Sequence, residues 1–345
     1  MDRYESLNAL RGLGAIAIVA AHLLSTLDNY TYPSNFIFSK LIPISSDIVF
    51  LFMLLSAFSM CCGYYHKFKA KQIDLNHFYK RRYSRVLPFF AVLIAIDFVV
   101  NPSVSEIYEA FANLTLLFGL LPNADIHVVG VGWFLGLIFI FYMIFPFFVF
   151  LIDNKKRAWL ALLITLALHY LATSYFSRPE LVVKSVDKFN IVYCLPAFVM
   201  GGILFLYKDE LKRWTRCKSV VLVAAVFATV LFFATDQITF LAKTTLFSIW
   251  IVYAIVDSNS ILLSNKFMNY IGSISMEIYL CHMAIYRLIE KMGAVSIIDS
   301  AILNYVTVLL MTVLGSVLFS HIVKFIFFPK TALFIDKYLR KSPAK

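Results

Sequence analysis

Two ionisable residues lie inside the first long apolar stretch of the chain. Arg11 and His22 occur in LNALRGLGAIAIVAAH, 11 positions apart. In an α-helix this spacing is about three turns, a rise of about 16 Å, and it leaves both side chains on one face. Because ionisable groups are costly inside a membrane, they mark functional sites there. The alternative is an arginine that reaches the membrane surface and a histidine bonded to a neighbouring helix.

A second basic cluster occurs in FYKRRYSRVLPFF and contains Arg81, Arg82 and Arg85. Arg82 and Arg85 are three positions apart and would share a helix face. Guanidinium groups suit bidentate binding of phosphate. The cluster is therefore a candidate phosphate site, and the alternative is an ordinary basic anchor at the membrane surface.

The composition predicts the elements that position these residues. Of the 345 residues, 61% are hydrophobic and 15% are charged, more apolar than a soluble protein. The apolar residues form blocks of about 20, the length of a membrane span. We predict an all-α integral membrane protein with about ten transmembrane helices in one bundle. The predicted spans are 7–27, 41–63, 86–100, 133–152, 157–175, 190–206, 218–234, 238–256, 270–289 and 301–326. The short apolar stretch 108–121 is predicted to be a re-entrant or interfacial segment.

The net charge of +11 would suggest nucleic acid in a soluble protein. Here the cations lie in short loops, which points to membrane topology and contact with anionic lipids, and no nucleic-acid partner is expected. With ten spans and the N-terminus inside, 23 of the 31 Lys and Arg residues lie on the cytoplasmic side. Counting 108–121 as an eleventh span removes this asymmetry. We expect a multi-pass protein of the plasma membrane with both termini cytoplasmic. Residues 1–345 would form a single membrane domain, in which 331–345 is a tail that could form an interfacial helix.

Five ordered motifs resemble those of the acyltransferase-3 family of integral membrane O-acyltransferases. RGLGAIAIVAAH is similar to the family's R-x10-H pattern, and Arg82-Tyr-Ser-Arg85 to its RxxR motif. Three further stretches resemble family landmarks: VFLFMLLSAF (49–58), GWFLGLIFIFYMIFP (132–146) and IGSISMEIYLCH (271–282). Two features depart from the family pattern. Ala57 stands where glycine is common, and the block after Trp133 lacks the acidic residues of many members.

The resemblance implies transfer of an acyl group, usually acetyl, from cytoplasmic acyl-CoA to a hydroxyl of an extracytoplasmic or lipid-linked glycan. The expected result is O-acetylation of a cell-surface polysaccharide. His22 would be catalytic together with Arg11, either as a general base or through a transient acyl-histidine. Arg81, Arg82 and Arg85 would bind acyl-CoA, the donor substrate. We expect no tightly bound cofactor and no metal site.

Five other residues in the motifs are candidates for the acceptor site or its support: Ser56, Trp133, Tyr142, Tyr279 and His282. The alternative for the aromatic residues is an interfacial belt. Two other function classes stay open at this point. A glycan or lipid transporter, or flippase, would also fit ten spans with buried polar groups, although no pair of related halves is evident. A non-catalytic scaffold gives no reason for Arg11 and His22 to share a face.

Overall fold

The computed structural model describes residues 4–27, 30–100, 103–120, 128–176, 187–214, 217–236, 238–258, 260, 263–296 and 298–329. Throughout these ranges the chain is helical or in short connections, and none of the described residues belongs to a strand. The predicted all-α class is confirmed. The predicted tail at 331–345 lies outside the described residues.

The helices are numbered here in chain order. They are α1 (Glu5–Thr26), α2 (Ile37–Lys69, continuous through short π and 3-10 turns), α3 (Leu75–Val100), α4 (Val104–Thr115), α5 (Trp133–Leu151), α6 (Lys155–Leu171), α7 (Ile191–Trp214), α8 (Lys218–Ala234), α9 (Phe240–Val256), α10 (Lys266–Ser273), α11 (Ser275–Lys291) and α12 (Ala301–His321). A π-helical turn, Ile322–Phe327, continues α12.

The protein is a multi-pass membrane protein. Seven of the described helices are long and apolar enough to cross a membrane, namely α1, α2, α3, α5, α6, α7 and α12. Helices α8 and α9 are apolar but shorter, with 17 residues each. Each of the ten predicted spans overlaps a helix, and the span predicted at 270–289 is interrupted between α10 and α11. Helices suit these sequences because a helix satisfies its own backbone hydrogen bonds where no water is present.

Helices α2, α5 and α7 form the centre of the bundle. In the most apolar windows of α2 and α5, 61% and 67% of residues are buried, against 28% in α3, α6 and α12. Helix α7 packs closely on α2, because a Cβ at Gly201 would lie 2.4 Å from the carbonyl oxygen of Leu54. The rings of Phe141 and Phe198 stack at 4.2 Å and join α5 to α7. The outer helices keep one apolar face for lipid.

The boundary between α10 and α11 is a break inside an apolar stretch. Ile274 leaves helical geometry (φ −115°, ψ 13°) and α11 begins at the next residue. Helix α1 crosses α10 beside this break, where a Cβ at Gly272 would lie 2.1 Å from the carbonyl oxygen of Asn8. Glycine is therefore required at this position, and the close contact fixes the first turns of α1 against the break.

The segment 104–120, which overlaps the predicted re-entrant or interfacial segment, contains a helix of 12 residues followed by a short turn. Helix α4 ends at Leu116, which is in the left-handed region (φ 59°). The next turn packs on α5, because a Cβ at Gly136 would lie 2.7 Å from the ring of Phe118. Asn113 is buried and donates to the carbonyl of Val128 (3.2 Å). The segment thus covers the N-terminal end of α5.

The two ends of the bundle differ in their contacts. At one end, the start of α1 meets the end of α7, with Lys212 4.6 Å from the Tyr4 ring, and Lys69 pairs with Asp153 (2.5 Å). We call this the basic end. The opposite end, where α1 finishes and α7 begins, is called the far end. Tyr30 donates there to the carbonyl of Ile298 (3.1 Å).

Candidate active site

A cavity of about 510 Å³ opens among α1, α2, α3, α5 and the α10–α11 break. Six of the residues predicted from the sequence line it: Arg11, Ser56, Arg82, Arg85, Tyr142 and Tyr279. These residues come from five separate helices. The fold thus brings the R-x10-H arginine, both arginines of the RxxR motif and three acceptor-site candidates to one space.

Arg82 is a buried cation with no carboxylate partner among the described residues. It lies two turns inside α3, so the whole RxxR motif is helical, as the predicted shared helix face of Arg82 and Arg85 requires. Its Nη2 donates to the Tyr64 hydroxyl (2.7 Å) and its Nη1 approaches the sulfur of Met60 (3.4 Å). Its Nε has no hydrogen-bond partner, and its guanidinium carbon lies 5.7 Å from the centroid of the Tyr142 ring. A buried donor without an acceptor is costly and favours an incoming anion.

Arg11 and Arg85 add two further positive charges to the cavity wall. Arg11 donates from Nη1 to the side-chain oxygen of Asn8 (3.1 Å) and from Nη2 to the hydroxyl of Ser59. The charges of Arg11 and Arg85 act on each other. Because like charges repel, an anion bound between the half-buried Arg11 and the exposed Arg85 is stabilised.

The carboxylate in the cavity wall is already neutralised. Glu277 is 5% exposed, lies in the first turn of α11 and pairs with Lys324 at 2.6 Å. Lys324 also donates to the carbonyl of Ser273 (2.7 Å), and so joins both sides of the helix break to the turn after α12. The cavity therefore keeps a net positive character.

His22 does not line this cavity but forms a pair with His282. The Nδ1 of His22 lies 2.9 Å from the Nε2 of His282, and the rings stack at 5.1 Å. His282 is fully buried, and its Nδ1 lies 2.6 Å from the carbonyl oxygen of Tyr279. The two histidines are 260 positions apart in the chain.

These contacts select the tautomers of the neutral histidine pair. The Tyr279 carbonyl can only accept, so the Nδ1 of His282 carries a proton and donates to it. The Nε2 of His282 then has a lone pair and accepts from a protonated Nδ1 of His22. The lone pair of His22 is consequently on its Nε2, which makes no hydrogen bond to the described residues. A half-buried imidazole with a free basic nitrogen can remove a proton or attack a carbonyl carbon.

Tyr279 separates the cavity from the histidine pair. Its ring lines the cavity and lies 6.0 Å from the His282 ring. Its hydroxyl donates to the carbonyl of Val131 (2.9 Å), and the Phe134 ring packs edge-on against it at 5.5 Å. One aromatic side chain thus lies between the arginine-lined space and His22.

Besides the histidine pair, two predicted site residues lie outside the cavity wall. Arg81 is exposed on α3 and is not among the residues that line the cavity. Trp133 is buried at the start of α5 and stacks on Phe189 at 4.5 Å. Their functional roles stay predictions.

The sequence reasoning missed several residues that hold the site together. Asn8 and Ser59 orient Arg11, Tyr64 orients Arg82, and Lys324 neutralises the cavity carboxylate. The spacing of Asn8 and Arg11, three apart in one helix, is a signal that could have identified that pair. The contacts made by residues on other helices carry no local signal.

The comparisons with known proteins agree with this arrangement. The family model described as Acyltransferase domain (Acyl_transf_3) matches residues 4–321. A protein of Acidianus two-tailed virus, ORF330, provisionally named an acetyltransferase, is 23% identical over 234 residues, which cover 64% of this chain and 68% of that protein. No solved structure matches the chain. Because the family model spans nearly all of the chain, including every helix that lines the cavity, this protein belongs to the acyltransferase-3 family and is an acyltransferase.

Proposed function

We propose that the protein transfers an acetyl group from cytoplasmic acetyl-CoA to a hydroxyl of a surface glycan or lipid-linked glycan outside the plasma membrane. The observation that carries the proposal is the cavity that gathers Arg11, Arg82 and Arg85, with its carboxylate neutralised, next to the histidine pair. Coenzyme A is a polyanion with three phosphates, and guanidinium groups are suited to such groups.

The direction of the site supports a cytoplasmic donor. The arginines belong to the half of the cavity nearest the basic end, and the positive-inside rule assigns that end to the cytoplasm. The phosphates would bind Arg82 and Arg85, and Arg11 would lie deeper in the cavity, further from the basic end. The pantetheine arm would extend past Tyr279, and the thioester would reach His22. Both chain termini are then cytoplasmic.

The histidine pair gives a balanced transfer step. The acceptor oxygen forms a bond to the thioester carbonyl carbon while its proton passes to the Nε2 of His22. The carbon–sulfur bond then breaks, the carbonyl re-forms, and the proton passes from Nε2 to the departing thiolate. His282 accepts from the Nδ1 of His22 throughout, so it fixes the tautomer and stabilises the imidazolium that forms. An acyl-histidine route would use the same Nε2 as the nucleophile.

The test supplies labelled acetyl-CoA to membranes that contain the protein and measures label in alkali-labile esters. We expect His22→Ala to lower the transfer rate by about two orders of magnitude or more. The matched control is His169→Ala, because His169 also lies in a membrane helix and bonds a backbone carbonyl, that of Tyr193 (2.8 Å). Wild-type transfer by correctly inserted His22→Ala contradicts the catalytic assignment.

Cysteine labelling tests the orientation. A cysteine placed at Lys156, in the first turn of α6, should react with a membrane-impermeant reagent only after the cytoplasmic face is opened. Labelling of this cysteine in intact cells would contradict a cytoplasmic donor site. It would leave the assignment of the protein as an acyltransferase unaffected.

A further inference from the structure

We propose that Phe52, Phe134 and Tyr279 form an aromatic gate, which closes the donor cavity on the side of the histidine pair until the arriving thioester turns the Tyr279 ring aside. The three residues belong to α2, α5 and α11. The transfer step uses none of their side chains. The inference rests on the proposed function, because it concerns the route by which the donor reaches His22, and it adds a barrier between the two faces of the membrane.

The three rings contact one another in a closed triangle. The ring centroids of Phe52 and Phe134 are 6.0 Å apart, those of Phe134 and Tyr279 5.5 Å, and those of Phe52 and Tyr279 6.5 Å. Both pairs that include Tyr279 meet edge to face, an arrangement that aromatic rings favour. All three residues line the cavity, whereas neither His22 nor His282 does. The cavity therefore ends at these rings, before the histidine pair.

Tyr279 contacts both sides of this boundary. Its side chain lines the cavity, and its ring lies 6.0 Å from the His282 ring. The hydroxyl donates to the carbonyl of Val131 (2.9 Å), in the turn before α5, and so holds the ring in the closed position. The backbone carbonyl accepts from the Nδ1 of His282 (2.6 Å). Rotation of the side chain alone would open the cavity and keep the backbone contact that orients the histidine pair.

A site that is reached from both faces of a membrane needs a barrier between them. In the proposed function the donor enters from the cytoplasm and the acceptor from outside, so an open connection would let water and small ions cross the bundle. The arginines make the donor cavity polar, and His22 on the other side is half-buried. Packed aromatic rings between these two regions form an apolar constriction, which excludes water.

Donor binding can offset the cost of opening. The Tyr279 ring is held closed by one neutral hydrogen bond and two edge-on ring contacts. Hydrogen bonds between arginines and phosphates are charge-assisted and about twice as strong as neutral ones. A donor with its phosphates on the arginines extends its thioester towards Tyr279 and displaces the ring. A small solute lacks this combination of contacts and stays outside the gate.

Cysteine accessibility tests the gate in sealed inverted vesicles, which expose the cytoplasmic face. Cys62 lines the cavity about three turns after Phe52 in α2, nearer the basic end. The substitution His22→Cys places a second thiol beyond the gate. Modification by a small, membrane-impermeant sulfonated methanethiosulfonate is measured at each cysteine by mass spectrometry. With the gate intact, Cys62 should react and the thiol at position 22 should not.

Substitutions of Tyr279 in this background should open the gate in steps. Tyr279→Phe removes one hydrogen bond and should raise the modification rate at position 22 about fivefold. Tyr279→Ala also removes the ring contacts and should raise this rate about 50-fold or more. The matched control is Tyr142→Ala, because Tyr142 lines the same cavity but its ring contacts Phe139 (6.4 Å). It should leave the rate at position 22 unchanged.

A buried cysteine identifies variants that have unfolded. Cys194 is fully buried in α7 and should stay unmodified in every folded variant. Tyr279→Phe, which keeps the ring, gives the reading if Tyr279→Ala unfolds. The inference is overturned if the thiol at position 22 reacts as fast as Cys62 while the gate is intact. It is also overturned if the folded Tyr279 variants leave the rate at position 22 unchanged.

An alkylating analogue of the donor tests the opening step. Bromoacetyl-CoA has a bromomethyl group in place of the methyl group, so a thiol sulfur bonds the methylene carbon and bromide leaves. It should alkylate the thiol at position 22 through the intact gate, which the smaller reagent does not pass. Alkylation in Tyr279→Ala alone would show that the ring does not move and would overturn the opening step. No alkylation in either form would contradict the donor route of the proposed function and leave the closed gate standing.

Discussion

The histidine pair predicts a specific consequence of removing His282. In His282→Leu, the Nδ1–H of the half-buried His22 loses its acceptor and faces the fully buried position of residue 282. The described structure offers no replacement, since the contact at 2.9 Å is the one that satisfies this nitrogen. The other tautomer of His22, which carries its proton on the catalytic Nε2, then becomes comparable in free energy to the reactive one.

The size of the effect follows from the lost hydrogen bond. An unsatisfied buried donor costs about 1–3 kcal/mol, so kcat should fall by about 5- to 150-fold. The KM for acetyl-CoA should change little, because His282 does not line the arginine cavity. His282→Gln is the conservative control, because its amide oxygen can reach the position of the Nε2 and accept from His22.

The assay measures initial rates of acetyl transfer in membranes over a range of acetyl-CoA concentrations. Thermal unfolding of the detergent-purified variants identifies any that are simply misfolded. The reasoning is refuted if a folded His282→Leu has the wild-type kcat, or if Gln and Leu reduce kcat equally.

Three other substitutions test separate parts of the structure. Arg82→Gln should raise the KM for acetyl-CoA by about tenfold or more, since it removes a charged, partly unsatisfied donor. The control Arg157→Gln, at an exposed arginine of the basic end, should leave this KM unchanged. A KM of Arg82→Gln equal to that of the wild type would exclude Arg82 from donor binding. Lys324→Met should lower the unfolding temperature, because Glu277 is left buried and unpaired, and adding Glu277→Gln should restore it; failure of the double variant to recover would show that the ion pair is unimportant. Gly272→Ala should destabilise the protein by about 1–3 kcal/mol, because the added methyl would lie 2.1 Å from a backbone oxygen of α1, and an unfolding temperature equal to that of the wild type would show that this contact is not close.

The spans were predictable because apolar block length is a local property. Each of the ten predicted segments overlaps a helix. The interruption at Ile274 was missed because the prediction rested on apolar block length, although Gly272, Ser273 and Ser275 beside it are weak helix formers. The third helix also begins at Leu75, earlier than the predicted 86, since a helix can continue past the apolar core with polar residues.

The candidate site was predictable only in part, because contacts between residues far apart in the chain leave no local signal in the sequence. The spacing of Arg82 and Arg85 placed both on one helix face, and both line the cavity. Arg11 and His22 separate into different environments, because His22 meets a histidine 260 positions away. Its partner His282 was recognised through a family motif, whereas the orientation of their hydrogen bond required the tertiary structure.

The central claim is that an acetyl group passes from the cytoplasmic face to an acceptor at the far end through His22. Sealed membrane vesicles of the two orientations test it directly, with labelled acetyl-CoA added outside and esterified label measured. Inverted vesicles, whose cytoplasmic face is accessible, should incorporate label, while right-side-out vesicles and inverted vesicles of His22→Ala should not. Equal incorporation by both orientations, or wild-type incorporation by inverted His22→Ala vesicles, would contradict the account.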